Sequence, residues 1–199
     1  MGFDLKKNLV FYGAYHRDPT NVNIHITCVP ILLATGFFFG SNTPSIPLTN
    51  LPPKLAALLT RTNLPLNLCT IAGLTYSTAY LTISPNLAGY TLAPIILLTS
   101  SLSNRLHAYA KSASALKKAN SIAVFIHILS WVFQFIGHGK YEGRKPALLD
   151  NLVQALGLAP LFVWYETLWR WGLMRKLEVE VKRGVEDEVE RIRIKEGSK

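Results

Sequence analysis

The sequence predicts an all-α fold: a polytopic helical membrane protein with four to five membrane-embedded helices and a charged C-terminal tail helix. Three observations predict it. Only 17% of the 199 residues are charged and 49% are hydrophobic, against about 25% charged in an ordinary soluble domain. Five apolar stretches, Val22–Gly40, Leu66–Ile83, Leu87–Leu102, Ser121–Ile136 and Leu152–Trp169, are 16 to 19 residues long, and the first four contain no Asp, Glu, Lys or Arg. No stretch alternates strictly between apolar and polar residues, which argues against lipid-facing strands. Lengths slightly under the roughly 20 residues of a standard span suit a thin bilayer such as that of the endoplasmic reticulum. The same shortness makes a soluble helical bundle the alternative fold.

Along the chain, each element has its own signals. The opening residues lack the apolar core and cleavage site of a signal peptide. Lys6 stands where a myristoylation signal has Ser or Thr, so the chain is expected to be held by its own helices. Asp18 is a good N-cap and Pro19 fits the first helical position, where its missing N–H costs nothing. That start places Asn21 and His25 four residues apart on one face, with His16 just before the cap. The connector Ser41–Pro65 carries five prolines, and inside it Leu55, Leu58 and Leu59 beside Lys54 and Arg61 predict a short helix in the membrane interface. Pro85 and Asn86 make a tight turn between the second and third stretches, as in a helical hairpin. Residues 103–120 are polar and basic, and 137–151 form the most chemically varied loop. Asp150 and Asn151 would cap the fifth helix. After Met174 the chain is dense in charge, so residues 1–174 are expected to form one membrane-embedded domain and 175–199 a solvent-exposed helical tail.

Net charge is +9, and the carriers are unevenly placed. Nine of the 21 Lys and Arg fall from Arg170 onward. That pattern fits a juxtamembrane tail on anionic lipid. No nucleic-acid motif is present, and no obligate protein partner is evident. Cys28 and Cys69 lie inside apolar stretches and suggest neither a disulfide framework nor a zinc finger.

Counting four crossings puts His16, His25 and His138 on one side of the membrane and His107 on the other. Six Lys and Arg fall on each side, so the tail decides orientation. Gly157 and Pro160 interrupt the fifth stretch, which favours a re-entrant or interfacial segment and a site facing the cytosol.

The histidines carry the chemistry. Neutral imidazole is the commonest metal ligand, and a histidine within a span is costly unless paired. His16, His25 and His138, converging on one membrane edge, form a candidate metal site. The plainer alternative for each is a core histidine bonded to a neighbouring backbone group. His127, Gln134 and His138 share a helix face, but His127 and His138 are about 16 Å apart along the axis and do not share an ion. His127 is therefore a buried hydrogen-bonding residue or, with Asn21, a lining of the substrate path. Gln134 is a candidate catalytic side chain. Glu142, four residues past His138, could complete a two-His-one-carboxylate iron site or act as a base. Its alternative is an exposed carboxylate paired with Lys140 or Arg144. Arg144, with Lys145, is a candidate for binding a substrate carboxylate, or else contacts lipid phosphates. The chain has no GxSxG, GxxxxGK[ST] or HExxH. Trp131, Trp164, Trp169 and Trp171 fit interface anchoring and packing.

These residues lie in recognisable runs. Tyr15-His16-Arg17-Asp18-Pro19-Thr20-Asn21-Val22-Asn23-Ile24-His25, followed by Val29-Pro30, resembles the opening signature of the fungal 2-hydroxy fatty acid dioxygenase family. Trp131-Val132-Phe133-Gln134-Phe135-Ile136-Gly137-His138-Gly139, then Glu142, Pro146-Ala147-Leu148, Asp150-Asn151 and Ala159-Pro160, resembles its second signature. The resemblance extends from about Phe11 to Trp171. It implies a multi-pass endoplasmic-reticulum enzyme that uses iron(II) and molecular oxygen to shorten a long-chain 2-hydroxy fatty acid by one carbon. It also implies that His16, His25 and His138 hold the metal. Two rivals use the same residues: a zinc-dependent membrane lipid hydrolase, which needs no oxygen, and a non-enzymatic scaffold or lipid-binding protein with structural histidines. A transporter is disfavoured, because the first four stretches lack intramembrane charge.

Overall fold

A computed structural model of the chain describes residues 4–143 and 152–197. Among them the structure is helical: α1 (Leu5–Tyr15), α2 (Pro19–Ser41), a 3-10 turn at Leu48–Asn50, α3 (Pro53–Arg61), α4 (Leu68–Ile83), α5 (Leu87–Tyr109), α6 (Ala113–Ile136), a π-turn at Gly137–Glu142, α7 (Leu152–Arg170) and α8 (Arg175–Gly197). The β pairing among these residues is a single bridge between Ile46 and Leu66. The all-α expectation holds. Each of the five apolar stretches becomes a helix.

The count of membrane-embedded helices differs from the expectation of four to five. Among the described residues two helices are long and apolar enough to cross a bilayer, α2 and the continuous run of α6 with its π-turn. The difference has a physical reason. At 1.5 Å per residue, the 16 residues of α4 reach only about 24 Å. In α5 the apolar residues are interleaved with Ser, Thr and Pro94 and end at Asn104 and Arg105.

The chain divides into two compact units, Met1–Val29 with Val132–Lys199, and Pro30–Trp131. In the second unit, α4 and α5 form the hairpin that Pro85–Asn86 predicts, and Asn86 caps α5 by accepting from the Ala88 amide at 2.9 Å. The hairpin is zipped by buried polar groups. Asn67 donates to Asn104 at 2.8 Å, Asn104 to Thr70 at 3.1 Å, and Ser77 to the Ala93 carbonyl at 3.0 Å. The connector helix α3 forms as expected, burying Leu59 while Leu55 and Leu58 stay exposed.

In the first unit, Asp18 caps α2 through the amides of Thr20 at 2.7 Å and Asn21 at 3.3 Å. Leu161, Tyr165 and Leu168 of α7 are fully buried there. Gly172, at φ 79°, ends α7, with its amide bonded to the Trp169 carbonyl. The chain then turns into α8. One face of α8 packs along α1 while much of the helix stays exposed. Val181 and Val189 are buried, and Glu178 is held by Arg175 at 3.0 Å and Lys182 at 2.6 Å. Two glycines permit this closeness: a Cβ at Gly13 would come within 2.6 Å of Val185, and one at Gly184 within 2.7 Å of Val10. Gly13→Leu is therefore expected to lower stability by about 1–3 kcal/mol through overpacking. The checks are a lower thermal midpoint in detergent and faster proteolysis within α8.

Candidate metal centre

His16 follows the last turn of α1. Its backbone N–H closes that helix on Gly13 at 3.3 Å. Its ring Nδ1 lies 2.9 Å from the Tyr12 carbonyl. His25 sits two turns into α2 and repeats the pattern, with Nδ1 at 3.0 Å from the Asn21 carbonyl. A carbonyl oxygen only accepts, so in both rings Nδ1 carries the proton. Nε2 is left with a lone pair, the arrangement by which a backbone partner orients a metal-binding imidazole.

His138 arrives from the other end of the same unit, on the π-turn that follows α6. Such turns are inserted where a side chain must be re-aimed, often at functional sites. Gly143, at φ 64° in the left-handed region, ends the turn. Gly137 is required by proximity: a Cβ there would run into the Asn21 side-chain oxygen.

The three imidazoles stand edge to face, with centroids 4.5 to 4.8 Å apart and planes 73 to 82° apart. One ligand atom from each lies within 4.8 Å of the others. All three are buried, at 5 to 8% exposure. No protein group among the described residues is within hydrogen-bond reach of His16 Nε2 or His138 Nδ1. Burial holds the His16 imidazole well below its usual pKa, with His25 and His138 adding to the effect against the opposing Tyr12 carbonyl. The ring is therefore neutral, as a ligand must be. Three buried imidazoles, two of them oriented by backbone bonds, fit a transition-metal ion such as iron or zinc.

Six buried side-chain atoms lack a protein hydrogen-bond partner among the described residues: Tyr12 Oη, His16 Nε2, Asn21 Oδ1, Gln134 Nε2, His138 Nδ1 and Trp169 Nε1. All six belong to the first unit. The Tyr12 ring stacks on His16 at 3.9 Å. Burial, with Glu166 and Glu142 adding to it, pushes its phenol well above its usual pKa and keeps it a donor.

Other expected residues fall as follows. Glu142 lies outside the ligand group. Its Oε1 accepts from the Arg17 amide at 2.7 Å, the Asp18 amide at 2.9 Å and Asn21 Nδ2 at 3.0 Å. Asn21 is fully buried. Gln134 is buried one turn before His138. His127 belongs to the second unit, where Nδ1 meets Thr35 at 2.7 Å and Nε2 accepts from Trp131 at 3.2 Å. His107 is not in the cluster. Arg144, Lys145, Asp150 and Asn151 lie outside the described residues. Tyr12 and Trp169 were not singled out as site residues. The Tyr12–His16 spacing repeats that of Asn21–His25, and this was the available signal for Tyr12.

Comparison with known proteins gives two matches. The family described as 2-hydroxy-palmitic acid dioxygenase Mpo1-like matches residues 3–171. The 2-hydroxy-palmitic acid dioxygenase MPO1 of Saccharomyces cerevisiae is 32% identical over 183 residues, covering 92% of this chain and 90% of the relative. No solved structure matches.

Gly137→Ala is expected to displace Asn21 and destabilise the protein by about 1–3 kcal/mol. Gly139→Ala, two residues on with nothing within 4 Å of its added Cβ, should stay near wild type. Thermal unfolding of the pair in parallel checks the contrast, and equal midpoints would refute the close approach.

Proposed function

The chain belongs to the 2-hydroxy-palmitic acid dioxygenase Mpo1-like family, and from that premise we propose that it is an iron(II)-dependent dioxygenase, embedded in the endoplasmic-reticulum membrane, that shortens long-chain 2-hydroxy fatty acids by one carbon. The observation that carries the reading is the convergence of His16, His25 and His138, drawn from three segments, on one buried point. Iron(II) held there would supply the redox chemistry toward molecular oxygen and the Lewis acidity toward a hydroxy acid.

The overall reaction balances without a further reductant. One O2 accepts four electrons as the 2-hydroxy acid becomes a carboxylic acid one carbon shorter, with carbon dioxide and water released. The chain's own residues would bind and orient. The Tyr12 phenol, Gln134 amide and Trp169 indole are buried donors free to meet a carboxylate, and Arg144 is the proposed cation for the same group. Asn21 Oδ1 is a buried acceptor suited to the proton of the 2-hydroxyl. Held at both groups, the substrate is fixed before oxygen reacts, which is where positioning lowers a barrier.

A membrane setting suits the surface. A soluble core helix would be mostly buried, yet the apolar windows of α2 and α6 are only 33% and 17% buried. Phe125 is 67% exposed and Ile128 58%. Those faces suit lipid, and an acyl chain would stay in the same medium while its polar head reaches the histidines.

The test is anaerobic purification in detergent, iron(II) loading, then incubation with 2-hydroxypalmitic acid and oxygen. The expected product is the C15 acid, lost on chelation and restored by iron(II) but not by zinc. His16→Ala, His25→Ala and His138→Ala should each fall to background while inserting normally. Tightly bound zinc with no oxygen-dependent turnover would replace this reading with a zinc lipid hydrolase. Full activity in His138→Ala would sink the site.

A further inference from the structure

We propose that Glu142 is a positioning residue that assembles the three-histidine centre through a single carboxylate oxygen, and is neither a metal ligand nor a base. The inference rests on the metal-site reading above and deepens it. Oε1 accepts three hydrogen bonds, from the backbone amides of Arg17 and Asp18 and from the Asn21 side chain, at 2.7 to 3.0 Å. Each donor leads to a different part of the centre. Arg17 is the covalent neighbour of His16. Asn21 presents its backbone carbonyl to His25 Nδ1 at 3.0 Å. Glu142 itself closes the π-turn that carries His138.

The chemistry favours this role on three counts. Oε1, shared among three donors, has no lone pair to spare, and Glu142 offers no carboxylate oxygen to the group of ligand atoms that lie within 4.8 Å of one another. The two backbone donors, Arg17 and the N-cap Asp18, immediately precede Pro19, where the positive end of the α2 dipole favours an anion. Asp18 takes the amides of Thr20 and Asn21, so the two carboxylates divide the amides at that helix start without competing. The bonds are charge-assisted, which makes them stronger than neutral ones, and those from Asp18 and Asn21 are half-buried. Gly137 and Gly143 complete the device, the first by letting the turn approach Asn21 and the second by ending it directly after Glu142.

The test uses the full chain in detergent, with cobalt(II) as the probe so that binding is read by absorption and metal stoichiometry as well as by activity. Removal of a group that orients metal ligands typically weakens metal binding 10- to 100-fold. Glu142→Ala is expected to raise the cobalt dissociation constant by about that factor, with one ion per chain at saturation and an unchanged absorption band. Turnover of the iron-loaded variant should recover at saturating iron. Glu142→Gln keeps an acceptor oxygen for the amides, so it should fold normally and show a smaller rise. Asn21→Ala should weaken binding too, and the double variant with Glu142→Ala should lose less than the sum of the two, because both changes break one shared contact. Wild-type cobalt affinity in both Glu142 variants would overturn the proposal. So would a shifted cobalt band with turnover that excess iron does not restore, the mark of a lost ligand. The His138→Ala control separates the two levels: if it binds cobalt like wild type, the metal site itself fails, whatever Glu142 does.

Discussion

Two hydrogen bonds of one kind, from a histidine Nδ1 to the carbonyl four residues earlier, set the conditions for the rest of the centre. Each bond uses a carbonyl that a helix already supplies, so it requires no dedicated partner and fixes the ring's tautomer. His16 and His25 both use it. The consequence is that their Nε2 atoms face a buried space with no proton to donate. Crowding three imidazoles at 4.5 to 4.8 Å would be unfavourable were they charged, and burial keeps His16 neutral. The π-turn, the close approach at Gly137 and the triple acceptance by Glu142 all serve to bring His138 to that space.

Parts of this were legible from the residues alone. Asp18 followed by Pro19 gives the helix start directly, because capping is local chemistry. The grouping of His16, His25 and His138 came from counting spans and from a resemblance, and the grouping of these residues does not depend on how many helices cross. The rise per residue was enough to separate His127 from His138. What escaped prediction depends on contacts distant in sequence. Glu142 bonds residues more than 120 positions away, and no local pattern encodes that. The same holds for α8. Its charge density reads as solvated tail, but a charge run says nothing of Val181 and Val189 until α1 is beside it.

The span count departs from expectation for a different reason. Apolar composition finds helices that avoid water, but crossing a bilayer also needs length and an unbroken apolar run. The 16 residues of α4 fall short, and α5 interleaves its apolar residues with Ser, Thr and Pro94. Both helices expose apolar side chains, among them Ile71 and Leu74 in α4 and Ile95 and Leu98 in α5, as α6 does at Phe125, Ile128 and Phe135.

The two units also differ in how they treat buried polar groups. In Pro30–Trp131 the buried amides and hydroxyls pair with one another or with carbonyls, and none of the six unpartnered atoms belongs to it. Asn67, Asn104 and Thr70 satisfy each other across the hairpin. The same chain therefore resolves buried polarity where resolution is useful. A buried group left without a partner costs about 1–3 kcal/mol, so six gathered in one unit are a substantial burden on a fold of ordinary stability. General looseness would scatter such atoms over both units. Their confinement to the unit that holds the three histidines is what the proposed reading expects, with an ion on the lone pairs and a polar head on the donors.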